Sequence, residues 1–219
     1  MSRSLKYEIP GVDRRCDALE VAELGFDGLF RPELAHPSER VVEIGFGRGE
    51  FLLELAAKRP ETAFLGVEIS FKRVLKMARK VGRAELRNVR LIEAKGEVVL
   101  SDLLPADLLN EIWVNFSDPW PKDRHARRRV IQPDFVRNAA RILAPDGVLH
   151  VATDDVPYAQ QIAEVLASET LLENVFAPHP WRSEVPGRIQ TGYEIEWRAA
   201  GRPLHFFASR RAAAIAMER

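Results

Sequence analysis

From Arg40 onward, apolar and polar positions alternate between two rhythms. "RVVEIGF" (40–46) is a short apolar run closed by glycine, and "GEFLLELAAKR" (49–59) repeats its apolar residues at helical spacing. "TAFLGVEIS" (62–70) is again strand-like, and "SFKRVLKMARKVG" (70–82) reads as a helix with Ser70 at its cap. "NVRLIEA", "EIWVNFS" and "GVLHVATDD" supply three more strands. Between and after them come a short helix at "EVVLSDLL", a helix opened by Pro133 at "PDFVRNAARIL", and another at "VPYAQQIAEVLA". The tail "YEIEWRAAGRPLHFFAS" reads as two strands about a Gly-Arg-Pro turn. Strand and helix in alternation predict an α/β fold: a mostly parallel sheet with helices on both faces and a C-terminal antiparallel hairpin. Ligands bind such a sheet at the carboxyl ends of its strands. Residues 1–39, rich in Pro, Gly and charge, predict an irregular lead-in with one short helix, leaving 40–219 as the domain proper.

Composition narrows the partners. The chain has 219 residues, 46% hydrophobic and 29% charged, enough for one well-buried core. Lys plus Arg and Asp plus Glu both number 32, so any basic function is local and the chain as a whole is not a polybasic nucleic-acid binder. No apolar stretch approaches a membrane span and the first residues lack the core of a signal peptide, which predicts a cytoplasmic protein with no membrane partner. One cysteine, Cys16, allows neither an internal disulfide nor a cysteine metal cluster, and no metal site is expected. Oligomeric state is not legible.

The first strand runs into "VVEIGFGRGE", where Gly45, Gly47 and Gly49 permit a tight turn and close approach of a ligand. The second strand ends at Glu68, placed to accept the hydroxyls of a ribose. Together these point to an adenosine-containing cofactor, either a nicotinamide dinucleotide or S-adenosylmethionine. The spacing G-x-G-x-G departs from the dinucleotide fingerprint. Glu43, two residues before the first glycine, would repel a pyrophosphate but suits ammonium and sulfonium charges. The competing reading is that Glu43 and Glu68 are solvated acids at strand ends.

The fourth strand leads into "VNFSDPWPKDRHARRRVIQPDF" (114–135). Two prolines fix φ around Asp118 and Trp120 and favour extended geometry in the residue before each, so the loop aims the Asp118 carboxylate. "KDRHARRR" (122–129) sets five positive charges against one negative, a patch suited to a polyanion unless it is simply a solvated face. Trp120 either stacks on a base or wedges the loop.

"EIGFGRGEFL", "GVEIS", "NFSDPWPKDRHARRRVIQPDF", "ATDD" and "TGYE" resemble the successive motifs of the bacterial tRNA (guanine-N7)-methyltransferase family over about residues 40–207. The resemblance implies a Rossmann-like class I methyltransferase fold, S-adenosyl-L-methionine as donor, and a guanine in the variable loop of tRNA as acceptor. By position it implies Glu43, Glu68 and Asp118 at the cofactor, with Asp118 also facing the guanine; Gly45 and Gly47 of the turn and Lys95 and Gly96 after the third strand complete the candidate cofactor contacts. It implies tRNA contacts from Lys122, Asp154, Thr191, Gly192, Tyr193 and Glu194, to which the basic run adds Arg127, Arg128 and Arg129. Against these stand plainer readings, with Asp154 or Asp155 capping a helix and "TGYEIEW" forming an alternating strand. The family usually carries an acid where this chain has Lys95, and lysine cannot accept a hydrogen bond from the adenine amino group. Glu93, Glu97 or a backbone carbonyl near Gly96 would have to serve. The departure also keeps open a catalytically silent tRNA-binding relative. Guanine N7 carries a lone pair and no proton, so Asp118 is expected to stabilise developing charge rather than act as a base.

Overall fold

Short apolar runs with no room for polar residues become the buried centre of a sheet. In a computed structural model describing residues 7–31 and 33–212, the side chain of Asp123 excepted, eight strands form one sheet in the order β1-β4-β3-β2-β5-β6-β8-β7. β2 (Glu39–Ile44) and β3 (Thr62–Glu68) lie side by side and parallel at its centre, and every residue of β3 is buried. β4 (Val89–Glu93) extends the sheet on one side, while β5 (Leu109–Asn115) and β6 (Leu143–Thr153) extend it on the other, all parallel. The "APDG" turn bulges out of β6, which shifts its register against β5 before the main pairing resumes at Val148.

Helices cover both faces. α2 (Glu50–Lys58) and α3 (Phe71–Arg83) pack Phe51, Leu52, Val74, Met77 and Val81 against one face of the sheet. A short helix, α4 (Gly96–Val98), continues into one wide π-helical turn at Val99–Leu103. α5 (Pro133–Ile142), with proline in its first turn, and α6 (Val156–Ser168) cover the other face, where they share a core with Leu100 and Ile112. Ser70 stands at the N-cap position of α3 but its side chain makes no capping bond.

The lead-in is more regular than its composition suggested. α1 (Ala18–Gly28) has a full capping box between Asp17 and Glu20, and Phe26 and Phe30 join the core shared by α5 and α6. β1 (Arg15–Cys16) pairs parallel with β4 at the sheet edge. Burial there pushes the Cys16 thiol up to about 12, which leaves it unreactive near neutral pH.

The antiparallel end is present, and "HFFAS" is a strand as expected, but its partners are not the residues just before it. β8 (His205–Arg211) pairs antiparallel with both β6 and the edge strand β7 (Leu172–Asn174). "GYEIEWRA" is not a strand but a helix, α7 (Gly192–Ala199), capped by Thr191 Oγ1, which accepts from Glu194 N at 2.9 Å. Its buried position is Glu194, and Ile195 is exposed, so the apparent alternation did not mark an inside and an outside.

Candidate active site

The chain leaves β2 toward β3 on one side and returns through β5 on the other, which opens a crevice at the carboxyl ends of these strands. A cavity of about 880 Å³ fills it. At its base the loop after β2 turns through Gly45, Gly47 and Gly49 at φ of +71°, +56° and +76°, and a Cβ at Gly49 would collide with the Met77 sulfur. Glu68, 3% exposed, accepts from Gly47 N at 3.1 Å, Ser70 N at 3.0 Å and Arg73 Nη1 at 3.4 Å. This carboxylate is therefore fixed in orientation by the loop it supports.

Glu43 is 2% exposed and lines the same cavity. Asn115 Nδ2 donates to its Oε1 at 3.1 Å, while Oε2 has no partner. Burial pushes its carboxyl up to about 7. The Asn115 bond and the nearby Arg188 charge oppose that rise, and Glu68 adds to it. A buried carboxylate oxygen without a partner, facing a cavity, is a site for a cation. Lys95 and Gly96 also line the cavity, as does Glu97, whereas Glu93 does not. A Cβ at Gly96 would strike Ile44, so the backbone there comes close to β2.

Asp118 follows β5 in a loop of unusual geometry. Phe116 and Trp120 have φ of +50° and +42°, so Trp120 is not extended as a residue before proline ordinarily is. Arg129 holds this shape. It is 7% exposed, its Nε donates to Pro119 O at 2.7 Å and its Nη1 to Gln161 at 2.5 Å. Arg129 thus points into the protein, unlike Arg127 and Arg128, which are exposed and line the cavity mouth. Arg128 lies over the Trp120 ring at 4.9 Å, and His125 meets that ring edge-on. Lys122 is exposed beyond the cavity lining.

The remaining wall comes from the start of α7. Thr191, Gly192 and Tyr193 line the cavity, with Arg48 over the Tyr193 ring at 4.6 Å and Trp197 behind it. Asp154 pairs with Arg202 at 2.8 Å, and Arg202 lies 3.9 Å from the Trp197 ring centre. The helix-capping role falls to Asp155, whose side chain accepts from Tyr158 N. Glu194 does not reach the cavity. It is 1% exposed and takes Arg188 at 3.3 Å and Arg198 at 3.1 Å. Arg188, which sequence reasoning missed, donates through Nη2 to Asn115 Oδ1 at 2.5 Å. Arg198, Glu194, Arg188, Asn115 and Glu43 thus form one connected chain from α7 to the cavity floor, buried inward of the half-buried Arg198. Nothing in the spacing of "PGRIQTGYE" announces Arg188, whereas Asn115, at the end of a buried strand, was a readable polar exception.

The methyltransferase family Methyltransf_4 matches residues 37–207. The chain is 43% identical over 171 residues to the tRNA (guanine-N(7)-)-methyltransferase of Leifsonia xyli, covering 78% of this chain and 74% of that protein. It belongs to the tRNA (guanine-N7)-methyltransferase family. The enzyme of that name from Alkalilimnicola ehrlichii is 40% identical over 181 residues, 77% of this chain and 76% of that protein. The one from Thermotoga maritima is 36% identical over 172 residues, 78% of this chain, but the match spans only 53% of that longer protein. Among solved structures, the 16S rRNA methyltransferase KamB shares the fold at TM-score 0.60 and 16% identity, covering 82% of this chain and 90% of that one. A SAM-dependent methyltransferase from Aquifex aeolicus does so at TM-score 0.55 and 12% identity, covering 80% and 84%.

Family membership makes S-adenosylmethionine the methyl donor, and the site fits it. The unpartnered Glu43 oxygen suits a cationic group, the oriented Glu68 suits a ribose, and the left-handed glycines leave the loop open to close approach. Among the described residues no cluster of His, Cys, Asp or Glu is arranged for a metal ion, and no helix is long and apolar enough to cross a membrane.

Proposed function

We propose that this protein transfers a methyl group from S-adenosylmethionine to N7 of a guanine in the variable loop of tRNA, with Asp118 stabilising the charge that develops on the base. One observation carries the reading: Glu43 and Glu68, from the ends of two neighbouring strands, and Asp118, from the loop after the next, line a single cavity whose mouth bears Arg127 and Arg128. The compartment this reading requires is the cytoplasm, where tRNA is found.

When bound, the donor supplies an electrophilic methyl group on a cationic sulfur. Glu68 orients a ribose through its hydroxyls, and Glu43 offers its unpartnered oxygen to a positive group. Glu97 or a carbonyl near Gly96 accepts the adenine amino group in place of the family's usual acid. Guanine N7 bears no proton, so in-line attack requires alignment but no base. Among the described residues Asp118 has no ion pair or side-chain hydrogen bond partner, which leaves both oxygens for the donors on the guanine edge. As N7 becomes cationic, a negative charge held there is worth more than it was in the ground state. Arg127 and Arg128 take phosphates beside the target, while Thr191, Gly192 and Tyr193 form the opposite wall and Asp154, with Arg202, braces it.

Incubation with bulk unmodified tRNA and methyl-labelled donor, followed by nucleoside analysis, tests this. Label is expected in N7-methylguanosine, and its appearance in any other nucleoside would overturn the acceptor. The silent-relative reading, which Lys95 favours, expects tRNA to bind while equilibrium dialysis finds no retained S-adenosylmethionine.

A further inference from the structure

We propose that the cationic face of α3 is a second track for the tRNA phosphate backbone, on the other side of the cavity mouth from residues 122–128. It rests on the tRNA reading above and extends it to a surface that none of the active-site motifs contains.

α3 reads FKRVLKMARKVGR and has no acidic residue. At about 100° per residue, Lys72, Lys76, Arg79 and Arg83 fall within about 60° of one another, with Lys80 and Arg73 alongside, opposite the buried Val74, Met77, Ala78 and Val81. Helix stability does not explain the charge. Lys72 and Arg73 occupy the first turn, where the helix dipole disfavours cations, and only Lys80 and Arg83 occupy the favourable last turn. Several surface arginines elsewhere are paired, as in Arg40 with Asp27, Arg137 with Asp134 and Arg210 with Glu173, and the exposed ones at the cavity mouth, Arg127 and Arg128, are not. Lys72, Lys76, Arg79 and Arg83 have no carboxylate partner among the described residues. A net-neutral protein that leaves a row of like charges uncompensated bears their mutual repulsion unless an external polyanion relieves it.

Geometry favours an extended anion. Thirteen helical residues span about 20 Å, longer than any single phosphate group requires. The row is continuous with the active site, since Arg73 lines the cavity and Lys80 Nζ donates to Arg48 O, in the glycine loop, at 2.8 Å. β3, which leads into α3, and β5, which leads into residues 122–128, flank β2 on opposite sides. The two basic surfaces therefore straddle the mouth, and a folded RNA whose target guanine enters the cavity can rest its backbone on both.

The test is the triple variant Lys72→Gln, Lys76→Gln, Arg83→Gln, in which glutamine keeps helix propensity and circular dichroism confirms the fold. Affinity for a transcribed tRNA is measured from 50 to 200 mM salt alongside wild type. The log-log salt slope is expected to become shallower by roughly 2, at about 0.7 or more per lost contact. KM for tRNA should rise about tenfold, with kcat at saturating tRNA and S-adenosylmethionine affinity unchanged. A variant slope equal to that of wild type overturns the track. So does loss of binding to phosphatidylserine vesicles with tRNA binding intact, which would make α3 a membrane-surface helix. Failure of wild type to form N7-methylguanosine would sink the methyl-transfer reading alone, because the salt-slope comparison still decides whether α3 holds RNA.

Discussion

A carboxyl group at the floor of a cavity is either protonated or paired, and Glu43 has no ion pair among the described residues. Its pKa of about 7, raised chiefly by burial, gives the sign of two pH effects. The stability it contributes is fully present below the unfolded value near 4.5, falls as pH rises through 7, and is lost above that. The ligand-free wild type should therefore lose thermal stability between about pH 4.5 and 7, and level off above, relative to Glu43→Gln, which has nothing to ionise. Donor binding should run the other way, tightening as pH passes 7 and releasing protons below it. Titration calorimetry in two buffers of different ionisation heat measures that release; equal apparent enthalpies at pH 6.5 would mean that Glu43 does not change protonation on donor binding. Asp118 makes a separate prediction. Asp118→Asn keeps the shape, loses the charge and turns donors toward donors on the guanine edge. The chemical step should fall by roughly 10² or more, with tRNA binding only mildly weakened. Single-turnover methyl transfer in heavy water should show no substantial slowing, and a large solvent isotope effect would make Asp118 a proton acceptor.

Elements were legible where an apolar period coincided with burial. β2, β3 and β5 and the helices α2, α3 and α5 follow it closely, and with them came Glu43, Glu68 and Asp118, which sit where strands end. α7 was misread for a physical reason. "YEIEW" alternates like a strand, but here an ion network rather than apolar contact decides what is buried, and Glu194 goes inside on the strength of Arg188 and Arg198. The Trp120 backbone was equally hidden, because its left-handed φ depends on Arg129 holding Pro119 from ten residues away. The network on α7 predicts non-additive mutations. Arg188→Met leaves the buried Glu194 with Arg198 alone and the Asn115 amide free to turn, and Glu194→Gln leaves the buried Arg188 without its carboxylate, so each should cost about 3 kcal/mol. The double variant should cost clearly less than their sum, by at least about 1 kcal/mol, in urea unfolding. Donor affinity should weaken in both singles, because Asn115 orients Glu43; additive unfolding energies with unchanged donor affinity would show that α7 and the cavity floor are independent.

At the scale of the whole molecule, thirty-two cations balance thirty-two anions, and what distinguishes the surface is which cations are left without partners. That distinction divides a run that looks uniform in sequence. Arg127 and Arg128 stand exposed at the mouth, while Arg129, the next residue, is buried in the loop it shapes. Treating the three as equivalent phosphate ligands was the natural reading of "RRR", since nothing local says which guanidinium turns inward. The two kinds should now separate by experiment. Arg127→Ala with Arg128→Ala should weaken tRNA binding and flatten its log-log salt slope by roughly 1.4 to 1.8, at 0.7 to 0.9 per lost contact, with thermal stability nearly unchanged. Arg129→Ala should leave the slope of the folded protein near that of wild type. It should instead lower the melting temperature, through two lost charge-assisted hydrogen bonds worth about 1.5 kcal/mol or more each, and lower kcat by releasing the loop that aims Asp118. Thermal denaturation and salt-dependent binding on the same preparations read both quantities. A flattened slope in Arg129→Ala with an unchanged melting temperature would return that residue to the phosphate-binding surface and leave the shape of the Asp118 loop to its prolines alone.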